Sequence, residues 1–272
     1  MSTTPPTTNT NDFGPTHTVA HSPQHAHSHT AILLHGRGSD GEEFAEELFD
    51  SKLSDQTTLA KRLPGWKWVF PSSRELHSTV FDVDMPAWFE AHSLTDIMAR
   101  QDLQMPGIRE SVAYLGGIVE KEIADLGGDA SKVILGGISL GGAIGLWTLF
   151  GLGGSVGGLG AFVGASTWLP FAQNVEGLFG GHAVGGGEGE GNGQARSEAD
   201  VFVEEMTVEL RRTLAHEQGR DQILLTPVFL GHGVDDAYVD VELGRQAKHV
   251  LGRIGMQRVE MREYSGAEQE GH

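Results

Sequence analysis

From residue 30 onward, short apolar runs alternate with longer amphipathic stretches. The runs predict strands at Thr30–His35, Trp66–Phe70, Lys132–Gly136, Leu159–Gly164, Pro227–Gly231 and Gln257–Tyr264. Between them, apolar residues recur every three or four positions, the spacing of one helix face. Ile108, Val112, Leu115, Val119, Ile123 and Leu126 form the longest such stripe, stopped by Gly127–Gly128. Phe44, Leu48 and Leu53 predict a helix after the first strand. Val203, Met206, Leu210 and Leu214 predict a single later one, and Val241, Leu243, Ala247, Val250 and Leu251 the last. Strands alternating with helices need crossover connections, which gives an α/β fold: a mostly parallel central sheet with helices on both faces. Uninterrupted apolar strands such as Ala31–Leu34 and Val133–Leu135 fit burial from both sides.

Two stretches break this rhythm. Residues 1–15 are rich in Thr, Pro and Asn and predict a disordered tail ahead of one domain over residues 16–272. Five histidines follow: His17, His21, His25, His27 and His29. No carboxylate stands close to them in sequence and strand-forming residues lie among them, so they read as a solvated tail and edge strand rather than a metal site. Residues 171–196 hold the glycine-rich run Gly185–Gly193 and predict a surface insertion, with a lid over the site as the sharper alternative.

Composition narrows the function. A chain of 272 residues, 39% hydrophobic, can bury a substantial core. Its net charge of −18 repels phosphate backbones and gives no pull toward anionic lipid, so neither nucleic acid nor a membrane surface is an expected partner. No apolar run is long enough to predict stable membrane insertion. Cysteine is absent, which excludes disulfides, thiolate metal sites and a cysteine nucleophile. The polar N-terminus lacks the apolar segment of a secretory signal, so a cytoplasmic location is expected.

The chemistry centres on Gly137-Ile138-Ser139-Leu140-Gly141, followed by Gly142. The motif directly follows the strand residues Val133–Leu135 and directly precedes the helical Ala143, Ile144, Leu146 and Trp147. Strand, sharp turn and helix form a nucleophile elbow, which presents a serine hydroxyl at the carboxyl end of a sheet. Such a serine needs a base, and the base needs an orienting carboxylate. In chain order the acid comes next, and Asp235 and Asp236 both stand just past the fifth strand. The base should follow the last strand, where His272 is the one histidine after Tyr264. An oxyanion formed at the serine needs N–H donors. Leu140, next to the nucleophile, offers one, and Arg37 in the loop after the first strand offers the second.

Four ordered segments resemble the phospholipase/carboxylesterase family of α/β-hydrolases, which includes acyl-protein thioesterases. Leu33–Gly41 resembles its oxyanion loop, and Met85-Pro86-Ala87-Trp88-Phe89 resembles its Pro-x-Trp-Phe segment beside the acyl site. Gly137–Gly142 resembles its elbow, and His232-Gly233-Val234-Asp235-Asp236 its acid loop. The last match selects Asp236 over Asp235, and the Pro-x-Trp-Phe match gives Trp88 and Phe89 an expected place in the acyl channel. The chain departs from the family at Leu140, where glutamine is usual, and at Arg37, where an apolar residue is common. It also departs after Tyr264-Ser265-Gly266, where an acidic stretch precedes His272 and the family's terminal helix is not expected. The resemblance implies hydrolysis of an acylated protein or a small acyl ester, with no metal or cofactor. A protein that keeps the fold only to bind is the rival from another class.

Overall fold

The computed structural model describes residues 12–180, 196–215 and 222–266. Its main sheet has seven strands: β1 (His17–Val19), β2 (His29–Leu34), β3 (Trp66–Phe70), β6 (Val133–Ile138), β7 (Ala161–Ala165), β8 (Val228–Gly233) and β9 (Val259–Tyr264). Their order across the sheet is β1-β3-β2-β6-β7-β8-β9; β1 runs antiparallel to β3 and every other pairing is parallel. From β2 the chain adds strands first on one side and then on the other. A crevice therefore opens at the carboxyl ends of β2 and β6. β1 carries His17 at the sheet edge, while His21 and His27 stack on each other and His29 stacks on Trp66. Among the described residues no group of three or more His, Asp or Glu could hold a metal ion.

Helices α3 (Gln101–Asp125) and α8 (Val241–Arg253) follow the predicted stripes, α4 (Leu140–Gly151) follows the serine motif as expected, and α1 (Gly41–Asp50) takes in Phe44 and Leu48 but ends before Leu53. In α4 every residue from Leu140 to Phe150 is buried, so this helix is apolar all round and lies inside the molecule. A short helix α2 (Leu59–Arg62) precedes β3. Among the described residues no helix is long and apolar enough to cross a membrane.

Three expectations need correction, and one element was not expected. The single helix expected through Val203, Met206 and Leu210 is two, α6 (Glu198–Met206) and α7 (Val208–Ala215). Buried Thr207 leaves helical geometry between them and turns its hydroxyl back to Val203 O. The insertion expected from residue 171 starts later, because Phe171 is buried against Trp147 and Phe202 and α5 (Ala172–Gly180) packs on α6 and α8. The run Gly185–Gly193 lies outside the described residues. A two-stranded hairpin, β4 (Arg74–Ser78) with β5 (Val83–Ala87), was not foreseen.

The tail expected over residues 1–15 gives way by Phe13, while residues 1–11 lie outside the described residues. Phe13 stacks on Tyr114 at 4.0 Å, with the Arg74 guanidinium 5.1 Å from its ring centre. Gly14 N–H donates to Ser73 O, and Ser72 Oγ donates to Pro15 O. Aromatic stacking beyond area burial contributes about 0.5–1.5 kcal/mol. Phe13→Ala should therefore destabilise the fold by roughly 1–2 kcal/mol in denaturant unfolding, and an unchanged midpoint would show that this contact carries no weight.

Candidate active site

The site forms where β2 and β6 end side by side. Ser139 stands between β6 and α4 with φ 52° and ψ −121°, a conformation that costs about 1–3 kcal/mol outside glycine. Three bonds hold it: its N–H donates to Ala165 O at 2.9 Å, and its carbonyl accepts from Thr167 Oγ1 at 2.8 Å and from Ala143 N–H at 3.1 Å. The motif's glycines follow from crowding. A Cβ at Gly137 would lie 2.6 Å from Gly141 C, and one at Gly141 would strike the carbonyl oxygens of Leu34 and His35. The first turn of α4 thus rests directly on the end of β2.

The loop after β2 is braced by groups that sequence reasoning passed over. His35 is fully buried; its Nε2 accepts from Ser73 N–H at 3.0 Å, so Nδ1 carries the proton and donates to Gly36 O at 2.6 Å. His35 O accepts from Trp88 Nε1–H at 2.9 Å, and Gly38 N–H donates to Pro86 O at 2.8 Å. A hydrogen-bond partner at each end of a buried imidazole has no linear signature. Gly36, Arg37, Gly38, Ser139 and Leu140 line one cavity of about 440 Å³, walled further by Phe44, Phe81, Met85, Leu94, Trp168 and Tyr238, with Ser39, Glu47 and Ile138.

Trp88 and Phe89 do not line that cavity. Both are fully buried. Trp88 is spent on the hydrogen bond to His35 O, and Ser111 Oγ donates to Trp88 O. Phe89 packs edge-on to Trp168, which does reach the cavity. Their expected place in the lining is corrected: Trp88 and Phe89 lie behind the wall, and Phe81, Met85, Leu94 and Trp168 face the cavity.

The acid loop follows β8. The Asp236 side chain is buried, and its Oδ1 accepts from the N–H groups of Tyr238 at 2.9 Å and Val239 at 3.0 Å. His232, buried beside it, donates from Nε2 to Val239 O at 2.8 Å and so closes the turn. Asp235 points elsewhere: its Oδ2 accepts from Gly266 N–H at 3.2 Å, at the exit of β9. His272 lies outside the described residues.

A mostly parallel sheet, helices on both faces and a strained serine turn at the carboxyl ends of the central strands define an α/β-hydrolase. The family model described as Phospholipase/Carboxylesterase matches residues 15–183. The chain belongs to the phospholipase/carboxylesterase family, and with it to the ester and thioester hydrolases. It is 26% identical over 243 residues to acyl-protein thioesterase 1 of Yarrowia lipolytica, covering 89% of this chain and 84% of that protein. It is 25% identical over 236 residues to acyl-protein thioesterase 1 of Debaryomyces hansenii, covering 86% and 81%. The crystal structure of Zea mays acyl-protein thioesterase 2 superposes with a TM-score of 0.62 at 23% identity, covering 93% of this chain and 90% of that one.

Burial holds the His35 pKa below its ordinary value, and the bond to Gly36 O opposes this only in part. The folded protein therefore keeps this imidazole neutral while the unfolded chain takes up a proton below about pH 6.5. Its contribution to stability is complete above that pH and is lost as pH falls toward the lowered folded value. Unfolding free energy should decline between pH 7 and 5, and His35→Gln should flatten that slope. An unaltered slope in the variant would assign the decline to other groups.

Proposed function

We propose that this protein hydrolyses acyl esters or thioesters through Ser139, His272 and Asp236, acting on an acylated protein or a small acyl ester. The observation that carries this reading is Ser139 itself, held at a positive φ by three hydrogen bonds where the turn meets a largely apolar cavity. His272 takes the proton from Ser139 Oγ as that oxygen attacks the acyl carbon. Asp236, its Oδ1 fixed by two backbone N–H groups, orients the imidazole and stabilises its charged form. The N–H groups of Leu140 and Arg37 hold the oxyanion. The alcohol or thiol leaves with the proton from His272. Water, activated by the same imidazole, then releases the acid. The scheme requires no metal or cofactor. The thioester half of the reading is supported by the acyl-protein thioesterase relatives.

A fluorophosphonate probe should label wild-type protein and fail to label Ser139→Ala. That variant should lose roughly 10³-fold or more in turnover, and full residual turnover would remove Ser139 from the chemistry. A chain-length series of nitrophenyl esters beside an acylated peptide thioester separates the esterase from the thioesterase. Asp236→Ala should cost far more activity than Asp235→Ala, since Asp235 is engaged at Gly266. The reverse order would move the acid by one residue.

A further inference from the structure

Arg37 contributes more than a backbone N–H to the cavity wall. Its side chain is partly buried, with Nη2 donating to Ala91 O at 2.6 Å and Cζ 5.9 Å from the centre of the Phe81 ring. A guanidinium carries five N–H donors, so most remain for other use. Among the described residues, no carboxylate lies within ion-pair distance of it. Every other described arginine except Arg258 sits in an ion pair with Asp or Glu. Glu90, the acidic group that acts on Arg37, has its Oε1 engaged by the N–H and hydroxyl of Thr79. Glu47 lines the same cavity without pairing with Arg37. Burial lowers the Arg37 pKa from its ordinary value, and Glu90 only opposes that. In a chain of net charge −18, a cationic residue with no carboxylate within ion-pair distance thus lines a mostly apolar cavity beside Ser139, its guanidinium next to the lining residue Phe81. Such a charge is costly to hold unless something compensates it.

We infer that the Arg37 guanidinium is a specificity determinant that binds a carboxylate carried by the substrate, so that the favoured esters or thioesters are anionic. A carboxylate is the planar match for the guanidinium fork, and beside a partly buried guanidinium the pairing is stronger than on an open surface. The backbone N–H of the same residue faces the oxyanion in the scheme above, so one residue would read both the reacting centre and the substrate's charge. The inference rests on the reading of Ser139 as nucleophile only for its catalytic test.

That test compares matched esters. Para-nitrophenyl hexanoate and the mono-para-nitrophenyl ester of hexanedioic acid differ by a carboxylate on the acyl side. Para-carbamoylphenyl and para-carboxyphenyl hexanoate differ by one on the leaving side. Wild type should prefer the anionic member of one pair, and that pair locates the carboxylate. In Arg37→Leu the preference, read as the ratio of kcat/KM values, should fall about ten- to hundred-fold, mainly through KM. Arg37→Lys should keep part of it as a point charge. Ratios unchanged in both pairs would overturn the inference and leave Arg37 as a brace to Ala91. Binding of the intact esters to Ser139→Ala protein, followed by quenching of tryptophan fluorescence, needs no turnover. A carboxylate preference there that disappears in Ser139→Ala/Arg37→Leu upholds the inference even if wild type hydrolyses nothing; no preference sinks it.

Discussion

The first turn of α4 lies on the carboxyl end of β2 with no space for a side chain between them. Gly141 faces the carbonyl oxygens of Leu34 and His35 at a distance only a hydrogen can occupy. This contact sets two features together. It places the loop of residues 36–38 beside Ser139, and it makes the turn out of β6 so tight that Ser139 takes a positive φ. The strain of about 1–3 kcal/mol is modest against the burial of α4. Each large side chain there, Ile144, Leu146, Trp147 and Phe150 among them, contributes about 1.5–3 kcal/mol on leaving water. A helix polar on one face could not sit so deep, and the serine would not be held where the sheet ends.

Two buried histidines brace the loops on either side of the serine. His35 joins the loop after β2 to Ser73, and His232 closes the acid loop onto Val239. Both bonds fix the tautomer, because one nitrogen faces a donor or an acceptor that cannot change role. His35 must accept from a backbone N–H, and His232 must donate to a carbonyl. Both imidazoles are buried and bonded to backbone groups, so each serves as a strut. The sheet holds the strands in register, and these two rings hold the loops that leave it.

Periodicity made the parallel sheet legible, since β2, β3, β6, β7 and β8 are short apolar runs with glycine or polar residues at their ends. The strand, turn and helix around Ser139 were legible for the same reason: the apolar pattern changes period across the glycines. The β4–β5 hairpin was not. Arg74, Glu75 and His77 interrupt any apolar alternation in β4, and β5 contains Pro86. The hairpin is held by its own pairing and by bonds to a distant loop, which leave no periodic trace. Trp88 and Phe89 show a different limit. Residue type indicated that they are large and apolar, and the direction of each side chain depends on a backbone course the sequence does not reveal. Phe13 looked like part of a polar tail because one aromatic residue among Thr, Asn and Pro cannot announce the tyrosine it will stack on. The break between α6 and α7 at Thr207, where the backbone leaves helical geometry and the hydroxyl bonds back to Val203 O, interrupts no apolar spacing.

Those same bonds make the hairpin and the loop after β2 one mechanical unit. Ser73 N–H meets His35 Nε2, Trp88 Nε1–H meets His35 O, and Gly38 N–H meets Pro86 O, so both ends of the hairpin are tied by three bonds to two residues of the loop, His35 and Gly38. The tip is free of these ties. Val80, Phe81 and Val83 are exposed there, and Phe81 alone of the three turns into the cavity wall. Substitution at the tip can therefore reshape the cavity while the legs keep the loop beside Ser139. Substitution in the legs moves both at once. The division follows from where the hydrogen bonds fall: rigidity is concentrated in the loop beside Ser139, and variation is left to the side chains that line the cavity.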